Sequence, residues 1–366
     1  MSVFELIKGD GYEQIVYCSD DRSGLKAIIA IHSTALGPAL GGTRFYDYET
    51  EDDALIDVLR LAKGMTFKAA AAGLDLGGGK AVIIGDHTRI KNEELLRSYG
   101  RFVETLGGRY ITAADVGTVL ADMDTVRRET RWVTGCSRTY GGSGDPSPVT
   151  AYGVLQGIKA CALEVFGDPS LEGRTVAVQG VGKVGYALCG YLKEEGAKVT
   201  IGDINLDNLA RAISDFGVET VPLEDIHKLE VDIFAPCALG GVVNDETLTE
   251  FQCKIIAGAA NNQLDRDEHG DKLRGMGILY APDFVINAGG LINVEDELRG
   301  YDRERAMGRV VGIYKAMQLI FQMAREREIS TAQAAAEYAE DRIQKISRLR
   351  LVRTAEYGPT SGIRSS

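Results

Sequence analysis

Apolar and polar positions alternate along residues 12–18 (YEQIVYC), and LKAIIAIHS repeats the pattern at 25–33 after the turn-forming DDRSG at 20–24. A period of two predicts a pair of strands joined by a turn. LGPALGGTR (36–44) follows and is rich in glycine. From Glu51 the period becomes helical and runs to about residue 72, with Leu55, Val58, Leu59 and Ala62 on one face and Lys68 late in the helix. The apolar run 80–86 (KAVIIGD) predicts a short strand straight after Gly77-Gly78-Gly79, so Lys80 is expected where a glycine loop meets a strand. Residues 91–107 read as an amphipathic helix, and 109–118 (RYITAADVGT) as a strand running into a loop that carries Asp115. Strands that alternate with helices predict an α/β unit over roughly 10–135.

The stretch 139–153 is dense in Gly, Ser and Pro, the composition of a hinge, and a helix is expected from near Pro148. At 171–205 a buried strand (TVAVQ), a glycine turn, a helix and a second strand (KVTIGD) follow one another. Three further strands are expected within 231–244, 253–264 and 277–293, each ending in small and polar residues. One long amphipathic helix is predicted over 303–328 and a second over 330–350 with Ser330 as its N-cap; the tail 355–366 is expected to be poorly ordered. The fold expected is therefore α/β with two domains separated by a cleft. Residues 1–135 would form the first domain, and 136–329 a Rossmann-type dinucleotide-binding domain. The stretch 330–366 would pack back on the first domain.

Composition narrows the function. At 366 residues the chain has room for two ordinary domains. Its net charge of −12 argues against nucleic acid or an anionic membrane as partner. No run of eighteen apolar residues predicts a membrane span, and the opening MSVFELIKGD lacks the pattern of a cleaved leader, so the cytoplasm is the expected compartment. The six cysteines form no C-x-x-C pair and read as buried free thiols, and the four histidines show no metal-ligand spacing, so no metal is expected.

The chemistry concentrates in TFKAAAAGLDLGGGK (66–80), where Lys68 and Lys80 lie twelve positions apart with Asp75 the only polar side chain between them. A small, apolar setting lowers a lysine pKa and suits it to acid–base work near neutral pH. Gly79-Lys80 does not end a phosphate-binding P-loop, because Leu74 and Ala81 occupy positions that need Gly and Ser or Thr. Asp115 at a strand end suits catalysis or N-capping of the next helix equally well. Gly180-Val181-Gly182-Lys183-Val184-Gly185 gives G-x-G-x-x-G between a strand and a helix, with Asp203 about twenty residues on. In that context the glycines admit a pyrophosphate, and the carboxylate favours a ribose 2′-hydroxyl over a 2′-phosphate, hence NAD over NADP. The asparagines that end the later strands fit either a ligand site or simple turns.

GPALGGTR, LAKGMTFK, GLDLGGGKAVIIGD, RYITAADVGT, VTG, GDPSPVTAYG, VAVQGVGKVG, APCALGG, AGAANNQL and APDFVINAGGLINV, in this order and over nearly the whole chain, resemble the Glu/Leu/Phe/Val family of amino-acid dehydrogenases, above all its leucine and valine branch. The resemblance implies that Lys68 binds the substrate α-carboxylate, that Lys80 activates water and that Asp115 moves protons to and from the amine. It implies that Gly41 and Gly42 bring backbone to the substrate. It also implies that Gly180, Val181, Gly182, Lys183, Val184, Gly185 and Asp203 hold NAD, with Thr150, Ala238, Asn261 and Asn287 around the ribose and nicotinamide. The reaction implied is reversible oxidative deamination of an L-amino acid to a 2-oxo acid, ammonia and NADH. A homo-oligomer is implied, an octamer before a dimer or tetramer, with residues 1–135 binding substrate and making the oligomer contacts.

By the same resemblance Leu40, Met65, Ala113, Thr134, Asn261, Leu291 and Val294 surround the substrate. Glutamate-specific relatives carry Lys and Ser where this chain has Leu40 and Val294, so a γ-carboxylate would be buried unpaired here. Ala113 matches the branched-chain enzymes and Leu291 the phenylalanine type. A branched-chain substrate is the expectation and an aromatic one the alternative. Two other classes fit less well. An NAD-binding regulator has no need of Lys68, Lys80 and Asp115 together, and a 2-hydroxy acid dehydrogenase needs an Arg and a His–acid pair that no histidine here supplies.

Overall fold

The computed structural model describes residues 3–349. A short helix, α1 (Val3–Leu6), precedes the hairpin β1 (Gln14–Asp20) and β2 (Leu25–Ser33). Then come β3 (Ala39–Tyr46), α2 (Glu51–Ala71), β4 (Gly77–Ile84), α3 (His87–Ile90), α4 (Glu93–Thr105), β5 (Tyr110–Ala114) and α5 (Leu120–Val126). The five strands form one mixed sheet in the order β1-β2-β4-β3-β5, with β3 parallel to both its neighbours. Helix α2 starts where Thr50 accepts a hydrogen bond from Asp53 N–H, behind three acids that suit the positive end of the helix dipole. Its apolar face, including Leu55, Val58, Leu59 and Ala62, packs on Ile28, Ala30 and Val82 of β2 and β4.

The second unit begins with α6 (Ser147–Phe166). This helix has the length and hydropathy of a membrane span, yet 56% of that stretch is buried inside the protein, as in a core helix. After it come β6 (Thr175–Gln179), α7 (Lys183–Glu194), β7 (Lys198–Gly202), α8 (Leu206–Phe216), β8 (Glu219–Thr220), β9 (Ile233–Pro236), β10 (Ile255–Ile256), α9 (Glu268–Gly275) and β11 (Leu279–Tyr280). These six strands form a parallel sheet in the order β11-β10-β9-β6-β7-β8. The order reverses at β6, so the carboxyl ends of β6 and β9 flank a crevice of the kind in which α/β sheets bind ligands. The helices α10 (Asp283–Ile286), α11 (Gly289–Asp296), α12 (Arg303–Val310), α13 (Gly312–Arg327) and α14 (Thr331–Ser347) follow, the last of the described elements. Helix α14 returns to the first unit, where Arg342 donates to Leu74 O and pairs with Asp75.

Several sequence expectations are corrected. The glycine run 77–79 lies inside β4, so Lys80 is the fourth residue of an eight-residue strand and does not stand at a loop junction. A Cβ would lie 1.9 Å from Ser33 O at Gly77, 2.1 Å from Thr66 N at Gly78 and 2.8 Å from Tyr110 Cδ2 at Gly79. Close approach, not turning, is what requires glycine there. The expected strand over 277–293 keeps two ladder residues, and 283–296 is helical, because an unbroken apolar run has no period that separates strand from buried helix. The helix expected over 303–328 is two, α12 and α13, divided at Val311. There Tyr314 N–H bonds Val311 O three residues back, a tighter turn between Gly308 and Gly312, both weak helix formers. The tail 355–366 and the end of the expected C-terminal helix lie outside the described residues.

Candidate active site

The sheet order explains how two distant sequence positions meet. Lys80 is on β4 and Asp115 follows β5, with β3 between them. Two strand spacings amount to about 10 Å, which the two side chains must cross over the face of β3. That part of β3 is Gly41-Gly42. A Cβ on Gly42 would lie 2.8 Å from Asp115 Cβ, and one on Gly41 1.7 Å from Gly79 O. With no side chain on Gly42, Lys80 Nζ reaches within 2.7 Å of Asp115 Oδ2, while Gly41 lets β3 and β4 approach closely. Asp115 does not cap the following helix, whose N-cap is Val119. Its loop is fixed instead by Thr118, whose hydroxyl accepts from Asp115 N–H and donates to Thr43 O.

Lys68 sits in the last turn of α2 and reaches across to the second unit, where its Nζ donates to Asn261 Oδ1 at 3.0 Å. Asn287 Nδ2 donates to the same oxygen at 2.8 Å and to Ala259 O. Burial pushes the Lys68 ammonium down to about 8; the Asp283 carboxylate opposes that and the Lys80 charge adds to it. Lys68 meets that like charge with a neutral amide as its hydrogen-bond partner. Burial pushes the Asp115 carboxyl up, but Lys80 and then Arg44 outweigh it and hold it below the usual carboxylate range. Burial raises the Asp283 carboxyl, against the Gln263 N–H that it accepts and the charge of Lys68.

Leu40, Met65, Leu291 and Val294 belong to one apolar cluster that runs from β3 and α2 into α11. Ala113 is buried opposite Gly42 on the neighbouring strand, and the buried Thr134 donates its N–H to Thr112 O beside it. The cavity of about 600 Å³ lined by Asn262, Asp283 and the start of α14 is a separate space that neither lysine lines.

In the second unit β6 ends at Gln179, and the chain turns at Gly180 with φ +90° before α7 begins at Lys183. A Cβ on Gly180 would meet Ala238 Cβ at 2.7 Å, and one on Gly185 would meet Gly180 O at 1.9 Å. One on Gly182 would meet nothing within 4 Å, so the loop backbone is open on that side. Asp203 Oδ2 accepts Val181 N–H at 2.6 Å and Oδ1 accepts Asn205 N–H, which fixes the carboxylate beside the glycine loop. Val181 is buried, Val184 packs on the core, and Lys183 stands exposed 3.9 Å from Asp145. The Thr150 hydroxyl lies where a Cβ on Gly290 would touch it at 2.7 Å. Asn287 Oδ1 is buried with no hydrogen-bond partner, an acceptor left for a donor from outside the chain. A turn glycine, an open one, a fixed acid and an orphaned amide oxygen suit a dinucleotide.

The comparisons with known proteins agree with this geometry. The family model for the Glu/Leu/Phe/Val dehydrogenase dimerisation domain matches residues 13–132, and that for Glutamate/Leucine/Phenylalanine/Valine dehydrogenase matches 141–206 and 203–350. The chain belongs to the Glu/Leu/Phe/Val dehydrogenase family. It is similar to leucine dehydrogenase from Geobacillus stearothermophilus, at 56% identity over 96% of this chain and 95% of that protein. It is similar to valine dehydrogenase from Streptomyces coelicolor at 53% identity, over 91% and 92% of the two chains. Among solved structures, L-tryptophan dehydrogenase from Nostoc punctiforme shares 45% identity with a TM-score of 0.84 and covers 95% of this chain and 100% of that one. Membership makes the chain an amino-acid dehydrogenase with a dinucleotide cofactor.

Four groups around the candidate site carry no role in the sequence reading. Arg44 stands 3.4 Å from Asp115 Oδ2, and Asp57 pairs with Arg44 from α2. Asp283 is buried near Lys68. Glu297 accepts from Gly135 N–H, Ser143 N–H and Ser143 Oγ, which ties α11 to both ends of the connection between the sheets. Arg44 and Asp283 left a signal, each as the one charged residue of its motif, in GPALGGTR and in APDFVINAGGLINV. Elsewhere Asp245, Glu268 and His269 converge, but Arg266 and Lys272 already pair with that cluster.

Proposed function

We propose that this chain catalyses the NAD-dependent, reversible oxidative deamination of a branched-chain L-amino acid to its 2-oxo acid and ammonia. The observation that carries this reading is the Lys80–Asp115 pair at 2.7 Å beside the cation of Lys68. Lys68 binds the α-carboxylate. Gly41 and Gly42 let backbone lie against the substrate because nothing projects from them. When bound, the nicotinamide accepts the hydride that leaves Cα, giving an iminium. Asp115, ionised at rest, takes a proton from the substrate ammonium before the hydride leaves. Lys80 then takes a proton from water as its oxygen attacks that carbon. Asp115 returns its proton to the amine and takes the new hydroxyl's proton as the C–N bond breaks and ammonia departs. Closure of the two units over the site would exclude water, and the connection near 140–147 would bend. Thr150, Ala238, Asn261 and Asn287 line the nicotinamide half of the cofactor. Asp203 supports NAD over NADP because a carboxylate beside the ribose repels a 2′-phosphate.

Leu40, Met65, Ala113, Thr134, Leu291 and Val294 form the side-chain pocket. The leucine and valine dehydrogenases among the relatives support a branched-chain substrate. An aromatic substrate is the second reading, supported by Leu291 and by the likeness to a tryptophan dehydrogenase. We read the working form as a homo-oligomer, with an octamer expected before a dimer or tetramer. The test is NADH formation at alkaline pH with leucine, valine, isoleucine, phenylalanine or tryptophan, run with NAD and with NADP. Branched-chain substrates with NAD should be fastest, and silence with all five would end the proposal. Lys80→Ala should lose at least about a thousandfold in kcat while still binding NAD. Retained turnover would remove Lys80 from the chemistry.

A further inference from the structure

Arg44 and Gly42 are two residues apart on β3, so their side-chain positions share the face over which Lys80 reaches Asp115. Arg44 Nη1 donates to Asp57 Oδ2 at 2.8 Å, and Tyr48 donates its hydroxyl to the same oxygen at 2.6 Å. That clamp sets the other edge of the guanidinium against the site. Arg44 Nε is buried without a hydrogen-bond partner and stands 3.4 Å from Asp115 Oδ2, itself buried. The charged and titratable groups near Asp115 are Lys80 from β4, Arg44 from β3, Lys68 from α2 and Tyr110 from β5.

We propose that Arg44 is a positioning residue for Asp115: a permanently charged guanidinium, clamped by Asp57, that keeps the carboxylate ionised when Lys80 is neutral. The physical need follows from the reaction assigned above, on which this rests. A buried carboxylate whose only counter-charge is a lysine would take up a proton whenever that lysine gave up its own. An arginine does not deprotonate in a protein, so it separates the two titrations. Asp57 then serves to hold the guanidinium in place, as Tyr48 holds Asp57.

The test compares Arg44→Gln, Arg44→Lys and Asp57→Asn with the parent enzyme. The Asp115 carboxyl is titrated by carbon-13 NMR, and kcat, KM and NAD binding are followed against pH. In Arg44→Gln the Asp115 titration and the acid limb of kcat should both move up by about one pH unit. NAD affinity should stay within about twofold, and Arg44→Lys should keep most of the parent profile. Asp57→Asn should move the limb the same way by less. An unmoved Asp115 titration in Arg44→Gln overturns the inference, as does an Arg44→Lys shift equal to that of Arg44→Gln. If Arg44→Gln does not fold, Asp57→Asn decides by the same readout. The NMR titration needs no turnover, so a parent protein inactive on amino acids would defeat the functional reading without deciding this one.

Discussion

The glycines beside the lysines and the glycines after β6 answer different requirements. In the five-stranded sheet Gly41, Gly42, Gly77, Gly78 and Gly79 lie within regular strands, and none has a positive φ. They are glycine because a neighbouring strand, helix or side chain occupies the place of a Cβ. After β6 of the six-stranded sheet, Gly180 is required by its backbone angle and Gly182 by nothing among the described residues. The first set is part of the packing, so the five-stranded sheet brings Lys80 to Asp115 by leaving side chains off tightly paired strands. The second includes a position whose only stake is a ligand. The same residue type is thus under structural demand throughout the first set, and in the second only Gly182 escapes it.

That contrast can be broken experimentally. Gly41→Ala puts a carbon 1.7 Å from a backbone oxygen that cannot move without its strand. It should cost about 3 kcal/mol or more of stability in urea unfolding, or give insoluble protein. A variant as stable as the parent would mean that the sheet is looser than the geometry states. Gly182→Ala meets no atom within 4 Å and should leave the melting temperature where it is. Its effect should appear in NAD affinity, as a loss of about tenfold, or 1.4 kcal/mol. If it destabilised the protein instead, the distinction between the two halves would fail.

A smaller effect separates the halves by pH. The Lys68 pKa is lowered to about 8, so its charged form is lost above that value, well before an ordinary lysine gives up its proton. If Lys68 holds the substrate carboxylate, KM for the amino acid should rise roughly threefold between about pH 7.5 and 8.5. NAD affinity, governed by the other half, should stay flat over the same range. A KM that is level through that window would place the carboxylate on another cation.

Most of the elements were legible from periodicity, because α2, α4, α6 and the β6–α7–β7 unit each show a clear period or a sharp start signal. The dinucleotide loop was legible because all its parts lie within one local unit. The lysine site was legible only as a list of residue types. Lys80 and Asp115 are thirty-five positions apart, and their contact depends on β3 inserting between β4 and β5. Strand order is set by the packing of the whole sheet and leaves no trace in local spacing. The same applies to Arg44, whose motif shows a cation but not the Asp57 on α2 that pairs with it.

The sequence by itself determined which segments bury a face, where the nucleotide loop turns, and which acids and bases were available. Those are properties of neighbouring residues, governed by period, conformational freedom and charge. Tertiary structure alone decided that the glycines before Lys80 are strand and not loop, and that Lys68 carries the lowered pKa. It also decided that Asp115 is held by two cations and not one. Each of these depends on distances between separate elements, and burial and Coulomb energy are fixed only once those distances are.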